Sequence, residues 1–135
     1  MIYKIIDIQG VGEVYAQKLI EAGVTTVDEL LEKGKTAKGR KALEEATGIS
    51  GKLILTWVNH ADLFRIKGIG PQFSELLEAS GVDTVKELAT RRADNLAKKI
   101  AEVNEEKHLV RRVPVEKEVE KMIAIAKELP GVVTY

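Results

Sequence analysis

Apolar side chains recur at three- and four-residue intervals through most of this chain, the spacing that places them on one face of an α-helix. Val11, Val14, Tyr15, Leu19 and Ile20 set the pattern over residues 11–22, and Gly23 follows as a left-handed stop that a Cβ would disfavour. A second helix is predicted from Thr26, whose hydroxyl can accept a backbone N–H bond, to about Lys33, with Glu29 three positions on completing a capping box. Thr36 is placed to cap a third helix ending at Thr47-Gly48. Ser50 is placed to cap a fourth reaching Phe64, with Leu53, Ile54, Trp57, Val58 and Ala61 as its apolar stripe. The pattern then starts again. Thr84 and Glu87 form another capping box, a helical segment covers 93–106, a connection spans 107–113, and Pro114 opens a last helix that stops before Pro130-Gly131. The tail beyond is expected to be peripheral, and the fold class is all-α.

The restart is a duplication. Residues 8–31 align without a gap on 66–89 at an offset of 58, with 10 of the 24 positions identical. Gly10/Gly68, Gly12/Gly70, Leu19/Leu77, Gly23/Gly81, Val24/Val82, Thr26/Thr84, Val27/Val85, Glu29/Glu87 and Leu30/Leu88 match, and Val11/Ile69 and Tyr15/Phe73 are close. These are turn glycines, caps and apolar contacts, so what recurs is first a fold. Two units of about four helices each are expected, residues 1–64 and 65–135, packed as one compact body.

Composition narrows the function. At 135 residues and 44% hydrophobic, the chain can bury a proper core. It has no cysteine, which excludes disulfides and thiolate metal sites, and no apolar run of membrane-spanning length, so a cytoplasmic location and no membrane partner are expected. Its 21 basic residues balance 21 acidic ones, so any affinity for nucleic acid must come from local patches.

The candidate patch is the glycine turn that opens a helix. Such a turn leaves backbone N–H groups pointing outward at the positive end of the helix dipole, where a phosphate can be held. The second turn suits this role, because Arg65 and Lys67 flank Gly68, Ile69 and Gly70, Pro71 fits the first helical position, Gln72 is neutral, and Glu75 lies a full turn away. The first turn, Gly10 to Gly12, has Gln9 in place of Lys67 and Glu13 in its first helical turn, where a carboxylate repels an approaching phosphate. Glycine turns also serve as plain connectors, and that reading stays open for both.

The apolar-x-Gly-apolar-Gly sequence, the following helix with Tyr15 or Phe73 and then Leu19 or Leu77, and the closing Gly-Val resemble the helix-hairpin-helix motif. That resemblance implies hairpin amides gripping the sugar-phosphate backbone without reading bases, with Val11 and Ile69 anchoring the turns. The wider pattern of Thr36, Gly39-Arg40, Leu43, Thr47-Gly48-Ile49, Trp57-Val58-Asn59 and Ala61-Asp62-Leu63, followed by the second turn, resembles a domain-of-unknown-function family of tandem helix-hairpin-helix type over roughly residues 1–129. Similar helical units also act as protein interaction modules, so a protein partner is the alternative to DNA or RNA.

Basic clusters extend the candidate surface. Lys33, Lys35, Lys38, Arg40 and Lys41 fall within 33–41 with no acid among them, Arg91 and Arg92 precede Lys98 and Lys99, and Lys107, Arg111 and Arg112 sit in the connection. Sharing a face with Lys67 they would track a phosphate backbone; otherwise they are a solvated surface. Lys38, Arg40 and Lys41 join the second turn, with Gly10 and Gly12, as nucleic-acid-binding candidates. Trp57 belongs to an apolar stripe and is expected in the core. Asn59, His60 and Asp62 are close in sequence but diverge on a helix, so they make no catalytic site, and His60 is expected at the surface or its boundary. His108 has no evident partner. No phosphate loop, nucleophile elbow or dinucleotide fingerprint is present, so no enzyme activity, cofactor or metal is expected.

Overall fold

The computed structural model describes residues 3–135; Met1 and Ile2, the first positions of the expected 1–64 repeat, lie outside the described residues. Among those described the chain is all-α, with eight α-helices, one short 3-10 turn at Ile5–Asp7 and no strand. The helices are α1 (Gly12–Glu21), α2 (Val27–Gly34), α3 (Ala37–Thr47), α4 (Gly51–Leu63), α5 (Pro71–Ala79), α6 (Val85–Thr90), α7 (Ala93–Lys107) and α8 (Glu116–Glu128).

Their ends follow local chemistry. The hydroxyls of Thr26, Thr36 and Thr84 accept from the amides of Glu29, Gly39 and Glu87, at 3.2, 3.0 and 3.0 Å. The last helix starts two residues beyond Pro114, because the Glu118 carboxylate reaches back to accept from the Val115 amide at 3.1 Å. On α1 the apolar pattern is only partly inward: Ala16 and Leu19 are buried, whereas Val14 is 71% exposed and Ile20 43%.

The chain divides into two units, one running to Asp62 and taking in Val132–Tyr135, the other Leu63–Gly131. In the first, an extended N-terminal segment pairs with the α1–α2 connection, Ile5 N donating to Thr25 O at 3.2 Å and Val27 N to Tyr3 O at 2.9 Å. Trp57 is buried in this unit, its ring 5.4 Å from that of Tyr15. In the second unit α8 packs on α6 and α7, and α5 on α7, around Ile66, Ile69, Leu76, Leu77, Leu88 and Ile100. Positions 58 apart share local backbone detail. Val24 N to Leu19 O and Val82 N to Leu77 O are both 2.8 Å, and Gly23 and Gly81 both have positive φ, 88° and 93°.

Two expectations are corrected. The tail is part of the first unit: Thr134 N donates to Lys35 O at 2.7 Å and the Tyr135 hydroxyl to Asn59 Oδ1 at 3.1 Å. His60 is only 2% exposed, and Asn59 and Asp62 are buried beside it on α4. Burial of such groups requires partners, and among the described residues no buried side-chain nitrogen or oxygen lacks one.

Arg40 links these features. It stands three residues before Leu43 on the inner face of α3, and its guanidinium donates to Gly34 O at 2.8 Å and Thr134 O at 2.6 Å, with the Tyr135 ring 5.7 Å away. Gly39 lets the first turn of α3 lie close against the end of α2, since a Cβ there would run into the Lys33 carbonyl. Arg40→Ala should therefore destabilise the protein by roughly 2–3 kcal/mol in urea unfolding, the scale for losing hydrogen bonds from a charged group and orphaning the carbonyl of buried Gly34. Lys41→Ala, at an exposed site, should change stability by less than about 0.5 kcal/mol. Equal losses would contradict a structural role specific to Arg40.

Candidate functional site

The second glycine turn joins α4 to α5. Ile66 and Ile69 are buried on either side of Lys67 and Gly68, which are exposed, and Ile69 N donates back to Ile66 O at 3.1 Å. Gly68 has φ +98°, a conformation L side chains rarely adopt, and its Cα side lies against Met122 of α8. The side chain and amide of Ile69 are thus both engaged in holding the turn. Ile69 has the buried side chain expected of an anchor, and of the three turn residues its amide is the one bonded within the turn.

The donors lie one step further along. Gly70 is the N-cap of α5 and supplies no side-chain hydrogen bond, Pro71 occupies the first turn, and no acidic residue stands there. The amides of Gln72 and Phe73 therefore head the helix without a capping side chain. Ser74 N makes the first helical bond, to Gly70 O at 2.9 Å, and the Ser74 hydroxyl donates to Pro71 O. Pro71 also explains the conformation of Gly70, which is extended (φ −108°, ψ −171°), because a residue before proline is driven out of the α region.

The first turn has the same anchor and a different mouth. Val11 is buried and donates to Ile8 O at 3.2 Å, matching Ile69, and Gly10 has φ +89°, matching Gly68. With Glu13 in place of proline, Val11 is helical, Gly12 takes φ +70°, and a carboxylate occupies the first turn of α1. Gly10 and Gly12 are exposed, but that charge opposes an anion at the same amides.

The remaining candidates disperse. Arg65 donates to Pro130 O at 3.1 Å, which ties it to the end of α8. Lys38 and Lys41 are exposed one turn apart on α3, while Arg40, between them, faces inward and is withdrawn from any solvent ligand. Lys33 and Arg91, at positions 58 apart, play the same structural part, each donating to the carbonyl of the preceding stop glycine, Gly23 at 3.3 Å and Gly81 at 2.8 Å. Arg91 and Arg92 also line a groove of about 790 Å³ against Lys117, Glu120, Lys121 and Ala124 of α8. Met122, which meets Gly68, lies about 150° around α8 from those residues. The α6–α7 cations and Lys67 therefore sit on different flanks of α8, not on one face.

The matched capping sites differ as well. Glu29 accepts from the Thr25 hydroxyl and from the Thr25 and Thr26 amides, which holds its carboxyl below the ordinary range. At the equivalent of Thr25 stands Asp83. A hydrogen bond shared with that carboxyl, together with burial and like-charge repulsion, pushes Glu87 above the ordinary range, and Arg91 offsets this in part. The reciprocal box expected at Thr84 and Glu87 is accordingly reduced to the threonine cap. A folded-state pKa raised in this way favours the protonated carboxyl. Its contribution to stability is present below the ordinary glutamate value and lost as pH rises through the raised one. Asp83→Thr should bring the Glu87 titration below the ordinary range and remove that loss. Carboxyl-carbon NMR titration of both proteins checks it, and an unmoved Glu87 midpoint would contradict the assignment.

Among the described residues no helix is long and apolar enough to cross a membrane. No curated protein and no solved structure matches the chain. A family profile does, over residues 9–129, a span that takes in both glycine turns and all eight helices. The chain belongs to the family described as Domain of unknown function (DUF4332).

Proposed function

We propose that this chain is a tandem helix-hairpin-helix module that binds the nucleic-acid backbone, DNA in the first instance, without reading sequence, and that it is a binding protein of the cytoplasm, not an enzyme. The observation that carries this reading is the N-terminal corner of α5. The turn is anchored through Ile69, Lys67 and Gly68 are exposed, the first turn is free of acid, and no capping side chain covers the leading amides. Gly70, Gln72 and Phe73 supply the donors to a phosphate and Lys67 the charge. Gly10 and Gly12 take the structural role of a connector, because Glu13 guards the same amides. Lys38 and Lys41 remain as exposed cations of the first unit and are separate candidates for phosphate contact, whereas Arg40 is excluded by its internal bonds.

Docking of a protein partner is the second reading, and a separate observation favours it. Lys4, Ile5, Ile6, Ile20, Thr25 and Thr26 line a mostly apolar groove of about 280 Å³ in the first unit, where Ile6 and Ile20 are each 43% exposed.

The two readings separate in a titration of labelled duplex DNA at low and moderate salt. Lys67→Glu should weaken binding by about tenfold and lower the salt slope by about 1 to 2, the scale for replacing one phosphate-contacting cation by an acid. Ile20→Glu, in the apolar groove, should leave DNA binding unchanged. Absence of duplex binding to wild type at low salt, or binding insensitive to Lys67→Glu, would overturn the nucleic-acid reading.

A further inference from the structure

The far end of α5 opens onto a second concavity, of about 290 Å³, where α5 stops at Ser80, α6 stops at Thr90 and α7 begins. Arg91, Arg92 and Lys99 line it together with Asn95, and none of the described residues in its wall is a carboxylate. Arg92, Asn95 and Lys99 stand at i, i+3 and i+7 and so form one stripe along α7, about 10 Å long at 1.5 Å per residue. Arg91 faces that stripe from the end of α6, oriented by its 2.8 Å bond to the Gly81 carbonyl.

The groups already in contact with these arginines do not close the site. Glu87 lies 3.4 Å from Arg91 in an exposed ion pair of the kind that contributes little, and Asp94 holds the exposed Arg92 guanidinium by two bonds, from Nε to Oδ1 at 3.2 Å and from a terminal nitrogen to Oδ2 at 2.9 Å, so a ligand at Arg92 has to displace that carboxylate. A phosphate oxygen pair, which takes two guanidinium N–H groups at once, competes with them. The hydroxyls of Ser80 and Thr90 donate to Leu76 O at 2.8 Å and Glu87 O at 2.7 Å, so the guanidinium, amide and ammonium groups are the donors that serve a ligand. The larger groove nearby shares Arg91 and Arg92 and adds Lys117, Lys121 and Lys127, but Asp94, Glu116 and Glu120 stand among them, whereas the smaller concavity has no carboxylate in its wall.

The junction between α2 and α3 in the first unit is an internal comparison. It is also rich in cations, and there an acceptor is already docked: the Arg40 guanidinium holds the Thr134 carbonyl at 2.6 Å. At the α6–α7 junction Arg91 and Arg92 line an open concavity.

We propose that the α6–α7 junction is a binding site for a phosphate group, with Arg91, Arg92, Asn95 and Lys99 as its donors. It lies at the opposite end of the nine-residue α5 from the Gly68–Gly70 turn, roughly 13 Å along the helix, and does not depend on nucleic-acid contact there. Free phosphate and a backbone phosphodiester present the same chemistry to these donors, and the test distinguishes them.

The full chain is titrated at low salt with inorganic phosphate in one arm and a short single-stranded DNA in the other, while NMR follows the Asn95 side-chain amide and the Asn95 and Lys99 backbone amides. Saturable shifts there with phosphate assign a free-anion site, and shifts with DNA alone assign a phosphodiester site; either supports the proposal. Combined Arg92→Glu and Lys99→Glu, both at exposed positions, should weaken the response by about tenfold or more, whereas Lys67→Glu should leave it intact. No saturable shift in either arm, an undiminished response in the double variant, or loss of the response in Lys67→Glu would each overturn it. The remaining spectrum of each variant reports that it is folded.

Discussion

Burial of one side chain, Ile69, governs what the second glycine turn can present to solvent. With the isoleucine in the core and its amide bonded to Ile66 O, the backbone between Lys67 and Gly70 has nowhere to go but outward. Gly68 tolerates the positive φ that this requires, and burial of an isoleucine contributes roughly 1.5–3 kcal/mol toward holding the shape. The anchor is hydrophobic and therefore indifferent to salt, while the surface it exposes is polar and responds to charge. That separation lets one turn be rigid and still present a polar surface to solvent.

The first turn is built on the same anchor, Val11, yet its electrostatics are opposite. Proline at position 71 fixes an extended Gly70 and removes one N–H from the head of α5; glutamate at position 13 leaves Gly12 left-handed and places a negative charge at the head of α1. A similar single exchange separates the two capping sites, where Thr25 stabilises ionised Glu29 and Asp83 opposes ionised Glu87. The matched segments thus differ in side chains at the mouths of their turns while their buried positions agree. Leu19 and Leu77, Val24 and Val82, and Leu30 and Leu88 are all at most 1% exposed.

What the sequence made legible was local. Threonine caps, stop glycines and the apolar anchors act within four or five residues, so their positions foretold α1 to α4 within a residue or two. Proximity in sequence misled where long-range contacts decide. Arg40 lies in a run of exposed lysines, but its partner Thr134 is 94 residues away, and only its spacing from Leu43 hinted that it faces inward. The tail looked peripheral for the same reason. Val14 and Ile20 fitted a helical pattern without telling which of two adjoining arcs faces the core, and His60 is buried because its neighbours on α4 are. The turn at Gly68 was legible as a phosphate candidate, though the donors shift from Ile69 to Gln72 and Phe73 once the turn's own hydrogen bond is counted. Lys99 stood out only as part of a basic cluster and Asn95 not at all, since their alignment with Arg92 matters only when α6 brings Arg91 opposite.

The most direct test of the central claim is amide hydrogen exchange at Gln72 and Phe73. In the free protein these uncapped amides should exchange rapidly, and saturating duplex DNA at low salt should slow them while leaving Glu13 and Val14 at the first turn unaffected. Exchange at Gln72 and Phe73 that duplex does not change, or protection that appears at the first turn instead, would contradict the account.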